Sequence, residues 1–583
     1  MPIPQPLFLT GQNDAVADAA ETVPARLTGH ARTMAQGVYQ VAEQFYVAVG
    51  YGQSNLSMVV GSDGVLVIDC LETEEHARQA LSDLRQVSGN DQPIKALIYS
   101  HSHPDHISGV RAILDPAAIE SNQARIYAHQ RLPAVVRGNP SLGLVPPLRL
   151  AYTFGLGLER GPAGWVETGL GTQFGIGTTG FLPPTAVFQG SLDATVAGIT
   201  FHLHEAPSES DDEIVVWFPE QRVLYAADVI QGESLPNLYA LRGAVRNPLE
   251  WIRALDLLRT FEAEALIFGH GRPLVGRDEV RELLLQYRDA LQYIHDQSLR
   301  LMARGLTPDE LVEDIGELPP RLREHPWLGE FYGTVKQTVP QVYANYYGWF
   351  EGDPTFIDRL PRREQAARYV AAMGGRDAVV ATAERAFADR DYQWVAEIVT
   401  HLLRLDPDDR AARRLKADAL RQLGYRTSNP IWRNNYLMGA REIDGTLDRD
   451  KLLATVRAMG NPDIAASMPI PLLLRAFATR LNPARSEGTY LQVAVHCTDT
   501  GASYGLAIRS EVAEDLAAAP PNPTIDIETT EPALRGLLTG RIGWPRAVEE
   551  GAPALKAGTP EEAARFWSLF DPPVGELPAL ALR

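Results

Sequence analysis

Cysteine is nearly absent. The 583 residues contain only Cys70 and Cys497, far apart in the chain. No disulfide framework is therefore expected, and both thiols read as buried or idle. No run of the ~18 apolar residues needed to cross a bilayer occurs, so no membrane span is expected. The N-terminal MPIPQPLFLTGQNDAVADAAE has no basic segment leading into a long apolar run. It does not read as a secretory leader, and a cytoplasmic location is the expectation. Positive charge is also short. A formal net charge of −19 argues against nucleic acid or an anionic membrane surface as a partner. A small anionic substrate is not excluded, because divalent cations in a pocket reverse the local field.

What is present is ordinary globular composition, 45% hydrophobic and 22% charged, in a chain long enough for three or four domains at ~150 residues each. Residues 38–100 alternate as strands: VYQVAEQFYVAVG, NLSMVVG and GVLVIDC, the last two joined by the turn Gly61-Ser62-Asp63-Gly64. EEHARQALSDLRQV has helical periodicity and IKALIYS is an apolar strand. Further strands read as ARIYAH, ITFHLHEA, EIVVWFP, RVLYAADV and ALIFGHG. Residues 140–185, rich in Gly and Pro, read as a long, partly irregular substrate loop. From about residue 275 the pattern is helical, and DEVRELLLQYRDALQYIHDQSLRLMARG stops at Gly305. After SNPIWRNNYLMGA, the strands YLQVAVHC, SYGLAIRS and PTIDIETT and the helices PALRGLLTG and PEEAARFWSLFD predict a small α+β domain.

The chemistry concentrates in SHSHPDHISG, residues 100–109, at the end of the IKALIYS strand. Open α/β sheets place their sites at such carboxyl ends. His101, His103, Asp105 and His106 in one loop form a ligand set suited to a borderline cation such as Zn²⁺.

This loop resembles the metal loop of the metallo-β-lactamase superfamily. The resemblance gives His101 and His103 to a first metal, and Asp105 and His106 to a second. It makes Asp69, at the end of VLVID, an orienting carboxylate. His270 in IFGHGRP matches the final ligand histidine. In EAPSESDDEIVVWFPEQRVLYAADV the alkylsulfatase branch implies Glu209 as a ligand of the first metal and Asp228 as the bridging carboxylate, where the branch usually has Glu. Glu205, Asp211, Asp212 and Glu213 read as solvated acids, and His202 and His204 as strand-packing or surface histidines. Two divalent ions, zinc by ligand type, would be balanced by Asp105, Glu209, Asp228 and one hydroxide.

The likeness to alkylsulfatases extends further. NLYALRG resembles the branch's sulfate-binding segment and implies Asn237 and Arg242 as sulfate ligands. FYGT, VYANYYGWFEGDP and DYQWVAEIV resemble a dimerisation domain, and the C-terminal region a sterol-carrier-protein-2-like domain. The fold implied is an αββα sandwich over 1–284, an all-α dimerisation domain over 285–427 and the α+β domain over 428–583. That last domain is expected to enclose a groove for alkyl chains. The function implied is hydrolysis of a small amphiphilic alkyl sulfate ester by a homodimer. Alternatives are a metallohydrolase of a lactone, thioester or phosphoester, and a lipid-binding dimer with a degenerate site. Two departures stand out. The branch's histidine after FYGT is missing from VKQT, where Lys336 and Gln337 stand, and GESLPN lacks the branch's histidines. Lys336 or Tyr332 is then the proton donor, or water attacks carbon and sulfate leaves without one, which is the favoured version. Asp105 completes the catalytic set.

Overall fold

The computed structural model describes residues 2–12, 21–172, 174–243, 245–573 and 578–582. Part of the N-terminal stretch read for a leader, residues 1 and 13–20, lies outside the described residues. The chain divides into two compact units, one of residues 1–136, 147–462 and 579–583, the other of residues 137–146 and 463–578.

The first unit is built on two sheets. One is eight-stranded and follows chain order, Pro2–Gln12, Gln36–Ala42, Phe45–Val49, Leu56–Val60, Val65–Ile68, Ile94–Ile98, Arg125–His129 and Ala186–Phe188. It is antiparallel up to Val65–Ile68 and parallel thereafter. The other orders Leu274–Val275, Ala265–Ile267, Val223–Tyr225, Ile214–Phe218, Ile199–Glu205 and Ser191–Val196. Alternation along Ile214–Phe218 shows why the sheets stack. Ile214, Val216 and Phe218 join Phe45, Leu66 and Ile98 between the sheets, while Val215 faces the outer helices. Outside one sheet lies the helix Glu74–Ser88, capped by the Thr73 side chain and ended by Gly89 at φ 64. Outside the other lie Pro248–Leu258 and Arg277–Met302, through Trp251, Leu255, Leu283 and Tyr287. This is the expected αββα sandwich.

Helices continue through Arg362–Ala372, Arg376–Ala388, Tyr392–Leu405, Arg410–Arg426 and Pro430–Asp444, giving the expected all-α region. The boundary expected at 284/285 falls inside the continuous helix Arg277–Met302, whose apolar stripe, from Val280 to Met302, belongs to one core shared with the sandwich and with the helices that follow. Residues 428–462 pack with the first unit, and residues 137–146 with the second.

The second unit has a five-stranded sheet ordered Val512–Leu516, Ser503–Arg509, Leu491–Cys497, Ile525–Thr529, Ala554–Ala557. Ile470, Phe477, Val493, Leu506, Ile525, Trp544 and Phe566 form its core. It is α+β, as expected. Both cysteines are buried and free.

Candidate metal centre and active site

The site grows from strand ends. Val65–Ile68 ends in Asp69, whose φ of 59 is left-handed and rare for a residue with a Cβ. That backbone turns the buried carboxylate onto the neighbouring loop. Asp69 accepts from the Ser100 N–H at 2.8 Å and the Ser100 hydroxyl at 2.7 Å, and also from Tyr225 Oη. It accepts from His106 Nδ1 at 2.7 Å. A carboxylate only accepts, so the His106 proton is on Nδ1 and Nε2 is left as a ligand atom. His270 is set the same way, with Nδ1 donating to the Gln53 carbonyl oxygen at 2.8 Å.

Five of the seven expected ligands fall into two metal-sized groups among the described residues, and His103 and Glu209 belong to neither. His101, His106 and Asp228 present ligand atoms within 4.8 Å of one another, and so do Asp105, His106 and His270. His101 Nε2 lies 2.9 Å from His103 Nδ1. Asp228 reaches both sets: Oδ2 is 2.9 Å from His270 Nε2 and 4.0 Å from His101 Nε2. Glu209 Oε1 lies 3.7 Å from His103 Nδ1. The residues fit a divalent cation. His106 Nε2 and Asp228 Oδ1 are buried with no hydrogen-bond partner, as bare ligand atoms would be. At Gly269 a Cβ would stand 2.0 Å from Asp228 Oδ1, so only glycine leaves that carboxylate its place.

The charged neighbours act on His103 and His270 in opposite directions. Burial and the Arg242 and Arg246 guanidinium groups pull the His103 imidazole down to about 3, which keeps it neutral. For His270 burial opposes charge, but Asp228 and Asp105 outweigh it and push the imidazole up to about 9. Burial likewise opposes charge on Asp105, yet the neighbouring His106 and His270 hold its carboxyl well below the usual range.

Sequence reasoning missed the supports. Glu213, read as a solvated acid, is fully buried. It accepts from the Glu209 N–H at 2.9 Å, the Asp228 N–H at 2.7 Å and the Ser208 hydroxyl at 2.5 Å, so one carboxylate ties both acidic ligand segments together. Asp212 is buried too, accepting from the Ser102 hydroxyl at 2.9 Å. The signal was their place: Glu213 adjoins the run IVVWF, where a side chain enters the core. Arg246, also buried, donates to Glu209 and to the Asn237 carbonyl oxygen, and Gln231 Nε2 donates to the other Glu209 oxygen. His202 pairs with Asp193 and His204 packs against Phe261, both away from the ligands.

A cavity of about 200 Å³ opens on these groups. His103, Asp105, Glu209, Asp228, His270, Arg242 and Tyr332 line its polar end, and Leu150, Phe154, Leu170, Phe174, Ile176 and Met459 its apolar wall. Arg242 Nη1 donates to Tyr332 Oη at 3.0 Å. Lys336 is exposed and does not line the cavity. The next residue, Gln337, is buried and bonded to Asn237, Tyr239 and Trp432. Lys336, expected as a possible proton donor, thus faces solvent, because consecutive helical side chains diverge by about 100°.

Comparisons with known proteins follow this architecture. Residues 49–270 match the metallo-beta-lactamase superfamily, 307–446 the alkyl sulfatase dimerisation family and 458–576 the alkyl sulfatase C-terminal family. A linear primary-alkylsulfatase of a Pseudomonas species is 39% identical over 490 residues, covering 83% of this chain and 92% of that one. An (R)-specific secondary-alkylsulfatase of Pseudomonas is 30% identical, covering 95% of this chain and 84% of that one. The solved stereoselective inverting sec-alkylsulfatase Pisa1 from Pseudomonas superposes with a TM-score of 0.85 at 28% identity, over 97% of this chain and 92% of that one. The chain belongs to the alkylsulfatase branch of the metallo-β-lactamase superfamily.

Proposed function

We propose that this chain hydrolyses alkyl sulfate esters to an alcohol and inorganic sulfate, using two zinc ions that His101, His103, Glu209, Asp105, His106, His270 and Asp228 would hold. The observation that carries the reading is one cavity with ligand-lined and cationic groups at one end and a wall of Leu, Phe, Ile and Met at the other. That pairing suits an anionic head on an alkyl chain. When bound, the ions supply the Lewis acidity that makes water a nucleophile near neutral pH.

The chain's own residues do the rest. Arg242, steered by Tyr332, offers its guanidinium to sulfate oxygens, and Asn237 offers its amide. Asp105 borders the cavity and accepts a hydrogen bond from the attacking water. Phe154 and Phe174, stacked at 5.4 Å, hold the alkyl chain and exclude water. Water attacks carbon, the C–O bond breaks, sulfate leaves as the dianion with the bonding pair and needs no proton, and the proton lost by the attacking water passes to solvent. Three observations support this route. Gln337 has no proton to transfer, and Lys336 faces solvent. The superposed relative is described as inverting, and inversion requires the bond to break at carbon.

The active form is a homodimer. The region matching the dimerisation family exposes Tyr347 (58%), Trp349 (69%) and Ile357 (65%), apolar surface that a monomer seldom leaves open.

The test is turnover of a sulfate ester, a lactone and a phosphodiester in oxygen-18 water, before and after chelation and zinc restoration. Sulfate release, with label in the alcohol and loss on chelation, is expected. Label in sulfate would overturn carbon attack. Turnover of lactone or phosphodiester alone would overturn the substrate class.

A further inference from the structure

We infer that Gln337 is a positioning residue that fixes which end of the Asn237 amide meets the substrate's anionic head. The inference rests on the sulfate-ester reading above and concerns a side chain that reading leaves without a role.

The argument starts from amide chemistry. A carboxamide has an accepting oxygen and a donating nitrogen, nearly equal in shape, so only its neighbours decide which points where. Gln337 has two neighbours that cannot reverse. The Trp432 indole N–H can only donate, and it lies 2.8 Å from Gln337 Oε1. The Tyr239 carbonyl oxygen can only accept, and it lies 3.0 Å from Gln337 Nε2. Turning the amide over would set donor against donor and acceptor against acceptor. Gln337 Nε2 is therefore fixed as the donor, and its second hydrogen goes to Asn237 Oδ1 at 3.0 Å.

That decides Asn237. Its N–H donates to Gln231 Oε1 at 2.9 Å, and its carbonyl oxygen accepts from Arg246. With Oδ1 taken by Gln337, one polar atom is left. Asn237 Nδ2 is buried with no hydrogen-bond partner, in a residue with no exposed surface. A buried N–H without an acceptor is costly, unless a ligand oxygen satisfies it. Asn237 is not itself part of the cavity lining but is one residue removed from it: Arg246, which holds its carbonyl oxygen, also donates to Glu209, which lines the cavity. With Gln337 in place Asn237 shows the anion a donor. Reversed, it would show a carbonyl oxygen. Every polar side-chain atom of Gln337 is engaged in this relay, so it acts through Asn237.

The test is a double-mutant cycle on the full chain. Gln337→Met is made in the wild-type and Asn237→Ala backgrounds. The readouts are the inhibition constant of inorganic sulfate, KM and kcat on an alkyl sulfate, the pH profile of kcat, and thermal melting. In the wild-type background, Gln337→Met should raise KM and the sulfate constant by ~10-fold, with kcat within ~3-fold. In Asn237→Ala the same change should move them by less than ~2-fold. If Gln337→Met does not fold, Trp432→Phe, which frees the Gln337 amide to turn, should raise the same constants by ~3-fold, again only when Asn237 is present. Equal effects in both backgrounds would overturn the inference. So would a fall in kcat with loss of one limb of the pH profile at unchanged KM, which marks proton transfer. A wild-type enzyme that turns over esters but shows additive effects sinks the positioning role alone. One that neither binds sulfate nor cleaves sulfate esters sinks the functional reading with it.

Discussion

Asp69 and Glu213 are not part of the site cavity's lining, yet they decide what the ligands can do. Asp69 is held in left-handed backbone, which costs ~1–3 kcal/mol for such a residue. The return is a carboxylate that orients His106 and anchors the Ser100 turn. Glu213 does for the acidic ligands what Asp69 does for the histidine loop. Burial pushes its carboxyl well up, and its oxygens accept from the Glu209 and Asp228 N–H groups. Glu213→Gln keeps the shape but puts an NH₂ where one of these donors points. Metal affinity should fall ~10–100-fold, the usual range for orienting partners, read as zinc content against a competing chelator. Unchanged loading would remove Glu213 from the metal account.

At the scale of elements, the apolar wall is assembled from three places: the helix Val145–Thr153, the irregular stretch carrying Leu170, Phe174 and Ile176, and Met459 just beyond the helix Arg449–Ala458. At ~10–15 Å³ of probe-occupied space per water, a cavity of about 200 Å³ is large enough for more than a single small ion. That is room for the sulfate head and a few methylenes. Met459→Ala lengthens the apolar end. It should raise kcat/KM for long-chain over short-chain alkyl sulfates by up to ~10-fold, since one methylene in a pocket is worth ~1–3 kcal/mol. An unchanged chain-length profile would show that the alkyl chain leaves the site by another route. In the second unit, the groove of about 330 Å³ lined by Leu473, Phe477 and Leu538 offers an apolar surface with Arg480 at hand. If it recruits substrate, Phe477→Ser should raise KM for long-chain esters while leaving short ones unchanged.

At the scale of the molecule, the last described residues are tied back into the helical region. Glu442 accepts the N–H groups of Leu580 at 3.0 Å and Ala581 at 2.8 Å, and Lys416 Nζ donates to the Ala581 carbonyl oxygen at 2.9 Å. Burial, with Arg404 nearby, pulls Lys416 down to about 8 from 10.5. Between those values the unfolded chain binds the proton and the folded chain does not, so stability should rise as pH climbs from 8 to 10.5. Lys416→Met removes that dependence. It should be more stable than wild type at pH 7, with the difference shrinking toward pH 10, in denaturant melts. A constant difference would mean that Lys416 is solvated. Sedimentation should give twice the 64.0 kDa chain mass, and Trp349→Glu should shift it toward the single chain.

The sequence alone determined a succession of strands and helices, because short apolar runs such as IVVWF and the 3.6-residue period of EEHARQALSDLRQV are local patterns, and the resemblance added the αββα sandwich. It also picked out His101, His103, Asp105 and His106, because their type, spacing and strand-end position are visible in one dimension, whereas His270 was placed by the resemblance. Glu209 and Asp228 needed a resemblance as well. The helix Arg277–Met302 continues across the boundary expected at 284/285, and residues 137–146 pack with the second unit, because chain order does not show which core a segment joins. Only the tertiary structure decided that Glu213 is buried and Lys336 exposed, and that Arg246, Gln231 and Gln337 surround Asn237. The Gln337–Asn237 bond joins residues 100 positions apart. A charged side chain reads the same in sequence whether it faces water or a carboxylate. Desolvation and hydrogen-bond geometry, which give these groups their roles, exist only once the sheets and helices have packed.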